Sequence, residues 1–221
     1  MKRSVRAGFT LVEMMVVLAI ISIITTIALF GQSDFNRSVL LTDTAYTVAL
    51  SLREMQSLGL SSRKTATGVQ NAGYGAYFAT ANQGSYLLFG DTTPVNPVPA
   101  NCLVGTANTP EAKPGDCIYT PGSDVIVQTY TFGRGFMISK ICGYDSAAGV
   151  KRCSDDPVAP LSALNVVFLR STTESTVVGY NGSWRPLTSA EVYIASADAL
   201  GTRAICISRV GQISVTYGNC P

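Results

Sequence analysis

The first 30 residues constrain this chain more than any other part of its sequence. A short basic leader ends at Gly8, and an apolar run with one charged residue, Glu13, then covers residues 9–30. A helix of about 22 residues spans roughly 33 Å, which is enough to cross the hydrocarbon core of a bilayer. We therefore predict a membrane anchor over residues 9–31.

The order of these segments differs from that of an ordinary secretory signal. Such a signal has an apolar centre of about 7 to 15 residues followed by a small-residue cleavage site, whereas here the small residue precedes the apolar run. Cleavage after Gly8 would remove a leader, residues 1–8, and leave the anchor on the mature chain. Basic residues before the run are Lys2, Arg3 and Arg6. By the positive-inside rule they place the leader in the cytoplasm and the rest of the chain beyond the membrane.

Glu13 is unusual in the apolar run, because a carboxylate inside a membrane helix costs about 2.5 to 3.5 kcal/mol on insertion scales. Two arrangements could compensate this cost. Glu13 lies close to Gly8 in the sequence and could stay hydrated at the cytoplasmic interface. Alternatively, cleavage would create a charged amino group on Phe9, with which Glu13 of a neighbouring subunit could pair as helices stack into a fibre. We favour the second interpretation.

The residues from Gly8 to Glu13, GFTLVE, resemble the type IV prepilin signature, which type IV pilins share with the pseudopilins of type II secretion. The resemblance implies that a membrane prepilin peptidase cuts between Gly8 and Phe9 and methylates the new amino group of Phe9. It also implies that Glu13 guides subunit docking. Many major pilins carry a helix-softening proline in the apolar run, but the first proline here is Pro94. This departure favours a minor subunit over a major one.

Beyond the anchor the sequence predicts a helical continuation and then a β-rich domain. Apolar residues recur at helical spacing over residues 32–64, and this stripe is expected to pack on the domain. The stripe comprises Phe35, Val39, Ala45, Ala49, Leu52 and Met55. From Tyr74 onward, short aromatic and β-branched runs are separated by Gly, Pro, Asn and Asp, which is typical of strands. The fold class is therefore α+β: a long, pilin-like N-terminal helix followed by an antiparallel β-rich domain over residues 74–221.

Eight strands are expected in this domain. They cover residues 75–79, 85–89, 125–132, 136–141, 164–171, 191–196, 203–209 and 212–217. The last two are expected to form a hairpin with Val210 and Gly211 at its turn. Residues 91–122 hold six of the ten prolines and predict a long loop. Gly73 and Gly75 are interpreted as turn glycines.

The long helix, the β domain and the closing sequence TRAICISRVGQISVTYGNC resemble the GspH/FimT family of minor pseudopilins and minor pilins. The closing hairpin of that family usually has Gly-Arg at its turn, whereas Gly211 is followed here by Gln212. Some pilin members bind DNA through basic residues near this turn, a role for which this chain offers Arg209 and Arg203. Without its three basic leader residues the chain has 13 basic and 14 acidic side chains, so its total charge gives no support for nucleic-acid binding.

Six cysteines lie beyond the anchor, which fits an oxidising exterior, where disulfides persist. They are Cys102, Cys117, Cys142, Cys153, Cys206 and Cys220. Six thiols allow fifteen complete pairings. Local sequence favours three of these bonds: Cys102 with Cys117, Cys142 with Cys153, and Cys206 with Cys220. A bridge that closes a loop of about 15 residues contributes about 3 kcal/mol in the chain-entropy model. A zinc site is disfavoured, because the chain has no CxxC pair and no histidine.

The sequence gives no support for catalysis, a cofactor or a metal. A chain without histidine lacks the commonest general base and any Ser-His or Cys-His nucleophile pair. Asp145, Asp155 and Asp156 could join in a calcium site, but a solvated acidic loop is the favoured interpretation. Asn181 begins both a glycosylation sequon and an Asn-Gly turn, and we favour the turn. Trp184 is expected to pack in the core or at an edge.

Taken together, these patterns predict a non-enzymatic structural subunit, a minor pseudopilin or minor pilin. Its expected partners are other pilin or pseudopilin subunits, a prepilin peptidase and inner-membrane lipid. It would be held in the inner (cytoplasmic) membrane by a single span, with its C-terminal domain outside the cytoplasm, and would then join a pilus or pseudopilus. Two alternatives stay open: a minor pilin that binds DNA or adheres during DNA uptake, and a plain membrane-anchored binding protein.

Overall fold

A computed structural model describes residues 8–61, 65–68, 72–92, 115–170, 172–197 and 201–221, apart from the side chains of residues 30–34. The chain divides into two compact units, Met1–Leu40 and Leu41–Pro221. One helix, α1 (Leu11–Leu60), precedes the strands of the described residues. The strands are β1 (Gly73–Ala79), β2 (Ser85–Asp91), β3 (Val125–Thr131), β4 (Phe136–Asp145), β5 (Val150–Cys153), β6 (Ala163–Phe168), β7 (Ser175–Tyr180), β8 (Trp184–Leu187), β9 (Ser189–Ser196), β10 (Thr202–Ser208) and β11 (Ile213–Tyr217).

The predicted α+β class is confirmed, and the helical part is one continuous helix over 50 residues. Its first part, Leu11–Leu29, has a mean hydropathy of 2.5, and none of it is buried. Among the described residues, this is the one helical segment long and apolar enough to cross a membrane. A helix that is apolar on all sides needs lipid or other helices around it.

The second part of α1 packs on the β domain through one face. Its buried apolar residues are Leu41, Ala45, Val48, Ala49, Leu52 and Met55. The predicted stripe began too early, since Phe35 and Val39 are 68% and 50% exposed. Helical spacing locates an apolar face, but it does not reveal where along the helix the domain begins to cover that face.

The strands form two antiparallel sheets. The first has the order β3-β2-β1-β6-β7-β8, and the second has the order β11-β10-β9-β4-β5. Every described strand pair is antiparallel. The core contains Phe78, Leu88, Phe168 and Ile194, each at most 1% exposed.

Gly73 and Gly75 lie inside strand β1, so their interpretation as turn glycines is wrong. Both are buried in the first sheet, where β1 pairs with β2 and β6. A Cβ atom on Gly75 would overlap the carbonyl oxygen of Val166, and one on Gly73 would lie 2.8 Å from Cγ1 of Val167. Glycine is needed at both positions because neighbouring atoms approach the backbone closely.

The closing hairpin of β10 and β11 turns at Arg209 and Val210, and Gly211 follows with a φ of +81°. The Nε2 group of Gln56 on α1 donates to the carbonyl oxygens of Thr173 and Gly211, at 3.0 and 3.1 Å. One helix side chain therefore holds both the hairpin turn and the segment before β7.

Further polar contacts connect α1 to the sheets. Arg53 donates from Nη2 to the carbonyl oxygen of Ile213 at 3.2 Å. Ser51 Oγ and Tyr86 OH lie 3.0 Å apart in a buried hydrogen bond, and burial raises the pKa of Tyr86 to about 12. Because a buried hydroxyl without a partner is costly, this pair fixes the position of α1 over β2.

Most of the predicted loop, residues 93–114, lies outside the described residues. Residues 115–122 form neither helix nor strand, in agreement with the prediction for that part. Ile118 is fully buried and packs with Phe89 and Val167 of the first sheet. The backbone N–H of Tyr119 donates to Oδ1 of Asn165 at 3.0 Å. This stretch therefore covers part of one face of the first sheet.

Candidate processing and assembly site

The start of α1 is set by Thr10. Its Oγ1 atom accepts a hydrogen bond from the backbone N–H of Glu13 at 3.2 Å. Its carbonyl oxygen accepts the N–H of Met14 at 3.2 Å, which is the first helical bond. Thr10 is thus the N-cap of α1, and with Glu13 three residues later it matches the T-x-x-E pattern of helix starts.

Gly8 and Phe9 precede the helix and are both exposed, Phe9 at 78%. No described atom lies within 4 Å of the place where a Cβ atom on Gly8 would stand. The fold therefore does not require glycine at position 8. Glu13 lies in the first helical turn with an exposed side chain, where the partial positive charge of the helix N-terminus favours a carboxylate.

The predicted cleavage residues, Gly8 and Phe9, thus lie just before an exposed apolar helix, and the predicted docking residue, Glu13, lies in its first turn. A family model described as the prokaryotic N-terminal methylation motif matches residues 3–29, which include Gly8, Phe9 and Glu13. This N-terminus is that of a type IV prepilin-like protein. No curated protein sequence and no solved structure matches the chain.

The β domain of this prepilin-like chain contains disulfides between Cys142 and Cys153 and between Cys206 and Cys220. Both are pairs that the sequence favours. Cys117 is also disulfide-bonded, but its predicted partner, Cys102, lies outside the described residues. The first bridge joins neighbouring residues of β4 and β5. The second joins β10 to the segment after β11, and so holds the C-terminal segment on the second sheet.

A charged cluster lies between these two bridges on the second sheet. Glu191 of β9 pairs in register with Cys142 on one side and Cys206 on the other. Its Oε2 atom accepts hydrogen bonds from Tyr193 OH and Lys151 Nζ, both at 2.6 Å. Burial raises the pKa of Tyr193, and the hydrogen bond to Glu191 adds to the effect. Because these polar groups satisfy one another, the cluster has a structural role.

The two arginines considered for DNA binding occupy different environments in the prepilin-like chain. Arg203 is only 5% exposed, donates from Nε to Thr42 Oγ1 at 2.9 Å and stacks 3.9 Å from the ring centre of Tyr217. It is a packing residue, so its burial gives no support for a contact between Arg203 and DNA. Arg209 lies exposed at the hairpin turn, roughly 20 Å away along the strand. The structure does not bring the two together at one surface.

The three aspartates considered for calcium each have protein partners. Asp145 pairs with Arg152 at 2.9 Å, and this hydrogen bond lowers the pKa of Asp145. Asp155 pairs with Lys140 at 3.4 Å. Asp156 accepts the backbone N–H of Val158, which lowers the pKa of Asp156. Among the described residues no group of three or more His, Cys, Asp or Glu side chains is arranged to hold a metal ion.

Asp91, which sequence reasoning does not single out, is a buried carboxyl at the end of β2. It accepts the backbone N–H groups of Asp116 at 3.1 Å and Cys117 at 2.6 Å. Burial raises the pKa of Asp91 to about 8, and the charge of Asp124 adds to the effect. A Cβ atom on Gly115 would overlap this carboxyl group. Asp91 therefore positions the segment that leads into Cys117.

The Asn181 turn lies between β7 and β8, as we favoured over a glycosylation site. Gly182 has a φ of +93° there, and Arg185 donates to Oδ1 of Asn181 at 2.9 Å. Trp184 is half-buried on the edge strand β8, with its ring centre 4.7 Å from that of Tyr180. Edge packing agrees with the expectation for the single tryptophan.

Proposed function

We propose that this prepilin-like chain is a non-enzymatic structural subunit, a minor pseudopilin or minor pilin of the GspH/FimT type, that is cut after Gly8 and assembled through α1. The observation that carries the proposal is the coincidence of two features. The methylation motif covers residues 3–29, and the apolar segment Leu11–Leu29 within it has no buried residue. A subunit that is stored in a membrane and later joins a helical bundle needs such a segment.

Burial of this segment is the main driving force that we propose for assembly. Its large apolar side chains, from Leu11 to Leu29, are between 44% and 76% exposed. Lipid covers them in the membrane, whereas outside it only neighbouring helices would do so. At about 25 cal/mol per Å² of apolar surface, leaving them in water would be strongly unfavourable.

Phe9 and Glu13 would set the register of the bundle. Cleavage after Gly8 gives Phe9 a free amino group, which the peptidase would methylate and which keeps its positive charge. The exposed carboxylate of Glu13 lies in the first helical turn, within reach of a neighbouring N-terminus. An unpaired carboxylate is costly in an apolar environment. The helix positions at which Glu13 pairs with the amino group of a neighbouring subunit are therefore strongly preferred.

The same proposal places the chain in the inner membrane, with the β domain outside the cytoplasm. The basic residues of the leader, Lys2, Arg3 and Arg6, favour this orientation. The disulfides of the β domain, Cys142 to Cys153 and Cys206 to Cys220, suit an oxidising compartment. Prepilin peptidase and other pilin-like subunits are the proposed partners.

We do not extend the proposal to DNA binding. Arg203 is buried against Tyr217, which leaves Arg209 as the exposed cation of the pair. Binding to a phosphate backbone is dominated by several Lys or Arg contacts that act together.

The experiment is mass spectrometry of the mature N-terminus after co-expression of the full chain with a prepilin peptidase. A product that begins at methylated Phe9 is expected. Gly8→Val should stay uncut, although no described residue approaches Gly8 closely enough to make that substitution harmful to the fold. An uncut wild-type chain would instead indicate a plain membrane-anchored domain.

Glu13→Gln should be cut and inserted normally but fail to co-assemble with its partner subunits. Normal assembly of this variant would refute the docking role of Glu13.

A further inference from the structure

The hydroxyl group of Thr10 occupies one particular backbone donor. In a continuous α-helix the N–H of Glu13 would bond to the carbonyl oxygen of Phe9, four residues before it. In this structure the same N–H donates to Oγ1 of Thr10 at 3.2 Å. The carbonyl group of Phe9 is thereby excluded from the helix, which begins at Leu11.

We infer that Thr10 is a positioning residue for leader cleavage, because its side chain stops the helix short of the bond between Gly8 and Phe9. This inference rests on the proposed function, in which that bond is cut. Gly8 and Phe9 are non-helical and exposed, and no described residue beyond the chain neighbours of Gly8 lies within 4 Å of its Cβ position. A peptidase therefore finds the bond outside the helix, with its backbone groups free to enter an active site.

Loss of the hydroxyl should extend the helix toward the leader. Backbone N–H groups in or near a bilayer need a partner, because little water is present to replace one. If Oγ1 of Thr10 is removed, the carbonyl group of Phe9 is the nearest replacement for the N–H of Glu13. Taking that bond makes Thr10 the first helical residue and Phe9 the new N-cap, so the carbonyl group of Phe9, next to the scissile bond, is held by the helix. Cleavage must then wait for this hydrogen bond to open.

The test compares cleavage rates of the full-length chain in membrane vesicles that contain a prepilin peptidase. Thr10→Val keeps the shape and the β-branch but removes the acceptor, and valine and threonine have similar helix propensities. Thr10→Ser and Thr10→Asn keep good capping groups in different shapes. We expect Thr10→Val to be cut about five-fold more slowly, the shift that corresponds to loss of a typical N-cap. Thr10→Ser and Thr10→Asn should be cut at nearly the wild-type rate.

Rescue by asparagine separates capping from direct recognition. If the peptidase reads the side chain itself, by its shape or its hydroxyl group, Thr10→Asn should be cut poorly although it keeps a capping group, which would overturn the inference. Equal rates for wild type and Thr10→Val would overturn it as well, while the proposed function would stand, since the bond is still cut. A wild-type chain that is not cut after Gly8 would overturn both.

Discussion

Replacement of Gly211 by alanine should destabilise the β domain far more than the same change at Gly218, another glycine in the left-handed region. Gly211 follows the hairpin turn with a φ of +81°. A Cβ atom there would overlap the carbonyl oxygen of Thr173 and lie 2.7 Å from Nε2 of Gln56. The segment before β7 would have to move, and the hydrogen bonds of Gln56 to Thr173 and Gly211 would be lost.

The expected loss has two parts. An alanine in the left-handed region costs about 1 to 2 kcal/mol. Two lost hydrogen bonds add about 0.5 to 1.5 kcal/mol each, so Gly211→Ala should lower the free energy of unfolding by about 2 to 5 kcal/mol. Gly218→Ala is the matched control, because Gly218 has a φ of +80° and no described atom, apart from its chain neighbours, lies within 4 Å of its Cβ position. It should show only the conformational cost.

The assay is denaturant unfolding of the full chain in detergent micelles, followed by the fluorescence of Trp184 and by circular dichroism of the strands. Gly211→Ala should lose about 1 to 3 kcal/mol more than Gly218→Ala, the part that comes from Gln56 and Thr173. Adding Gln56→Ala should cost less in the Gly211→Ala background than in the wild type, because its bonds are already broken there. Equal losses at Gly211 and Gly218, with additive effects of Gln56→Ala, would refute the proposed clash.

Three further predictions concern stability. Leu52 is fully buried on α1, so Leu52→Ala should lower the free energy of unfolding by about 2 to 5 kcal/mol, measured by urea denaturation against the exposed control Leu50→Ala. The disulfide between Cys206 and Cys220 has a sequence separation of 14. Replacing both cysteines by serine should therefore lower the free energy of unfolding by about 3 kcal/mol. A smaller loss on reduction of the wild type than in this variant would contradict the disulfide as the source of that stability. The raised pKa of Asp91, about 8, means that the folded chain keeps a proton that the unfolded chain releases. The protonated Asp91 therefore contributes to the free energy of unfolding. This contribution is fully present below about pH 4 and is lost as the pH rises through about 8. Asp91→Asn should therefore flatten the fall in melting temperature between pH 5 and pH 9, and an unchanged profile would count against burial of an acid there.

The sequence predicts the α+β fold class and the N-terminal prepilin motif, because both depend on local patterns. The apolar run, Gly8 and Glu13 are adjacent in the chain, and the closing hairpin has its turn signal at Gly211. Three strands escape prediction for identifiable reasons. Strand β5 carries Lys151 and Arg152, β8 contains Pro186, and β7 is buried on both faces, so that it lacks an alternating pattern.

The features that sequence reasoning missed depend on tertiary contacts. Nothing local distinguishes the buried Arg203, which stacks on Tyr217, from an exposed arginine on a strand. The burial of Asp91 and the role of Gln56 depend on segments that are distant in sequence. Thr10 is different: the T-x-x-E pattern that it forms with Glu13 is visible in the sequence and could have predicted the helix start.

The polar contacts between α1 and the β domain also determine how the domain responds to force. They join Thr42 to Arg203, Ser51 to Tyr86, Arg53 to Ile213 and Gln56 to Gly211. These helix positions extend over about 21 Å of the helix axis. Tension along α1 therefore loads the contacts in shear, and they must yield together, whereas a sideways pull would break them one after another. If the helix were pulled out of a membrane, these contacts would keep the β domain attached to it.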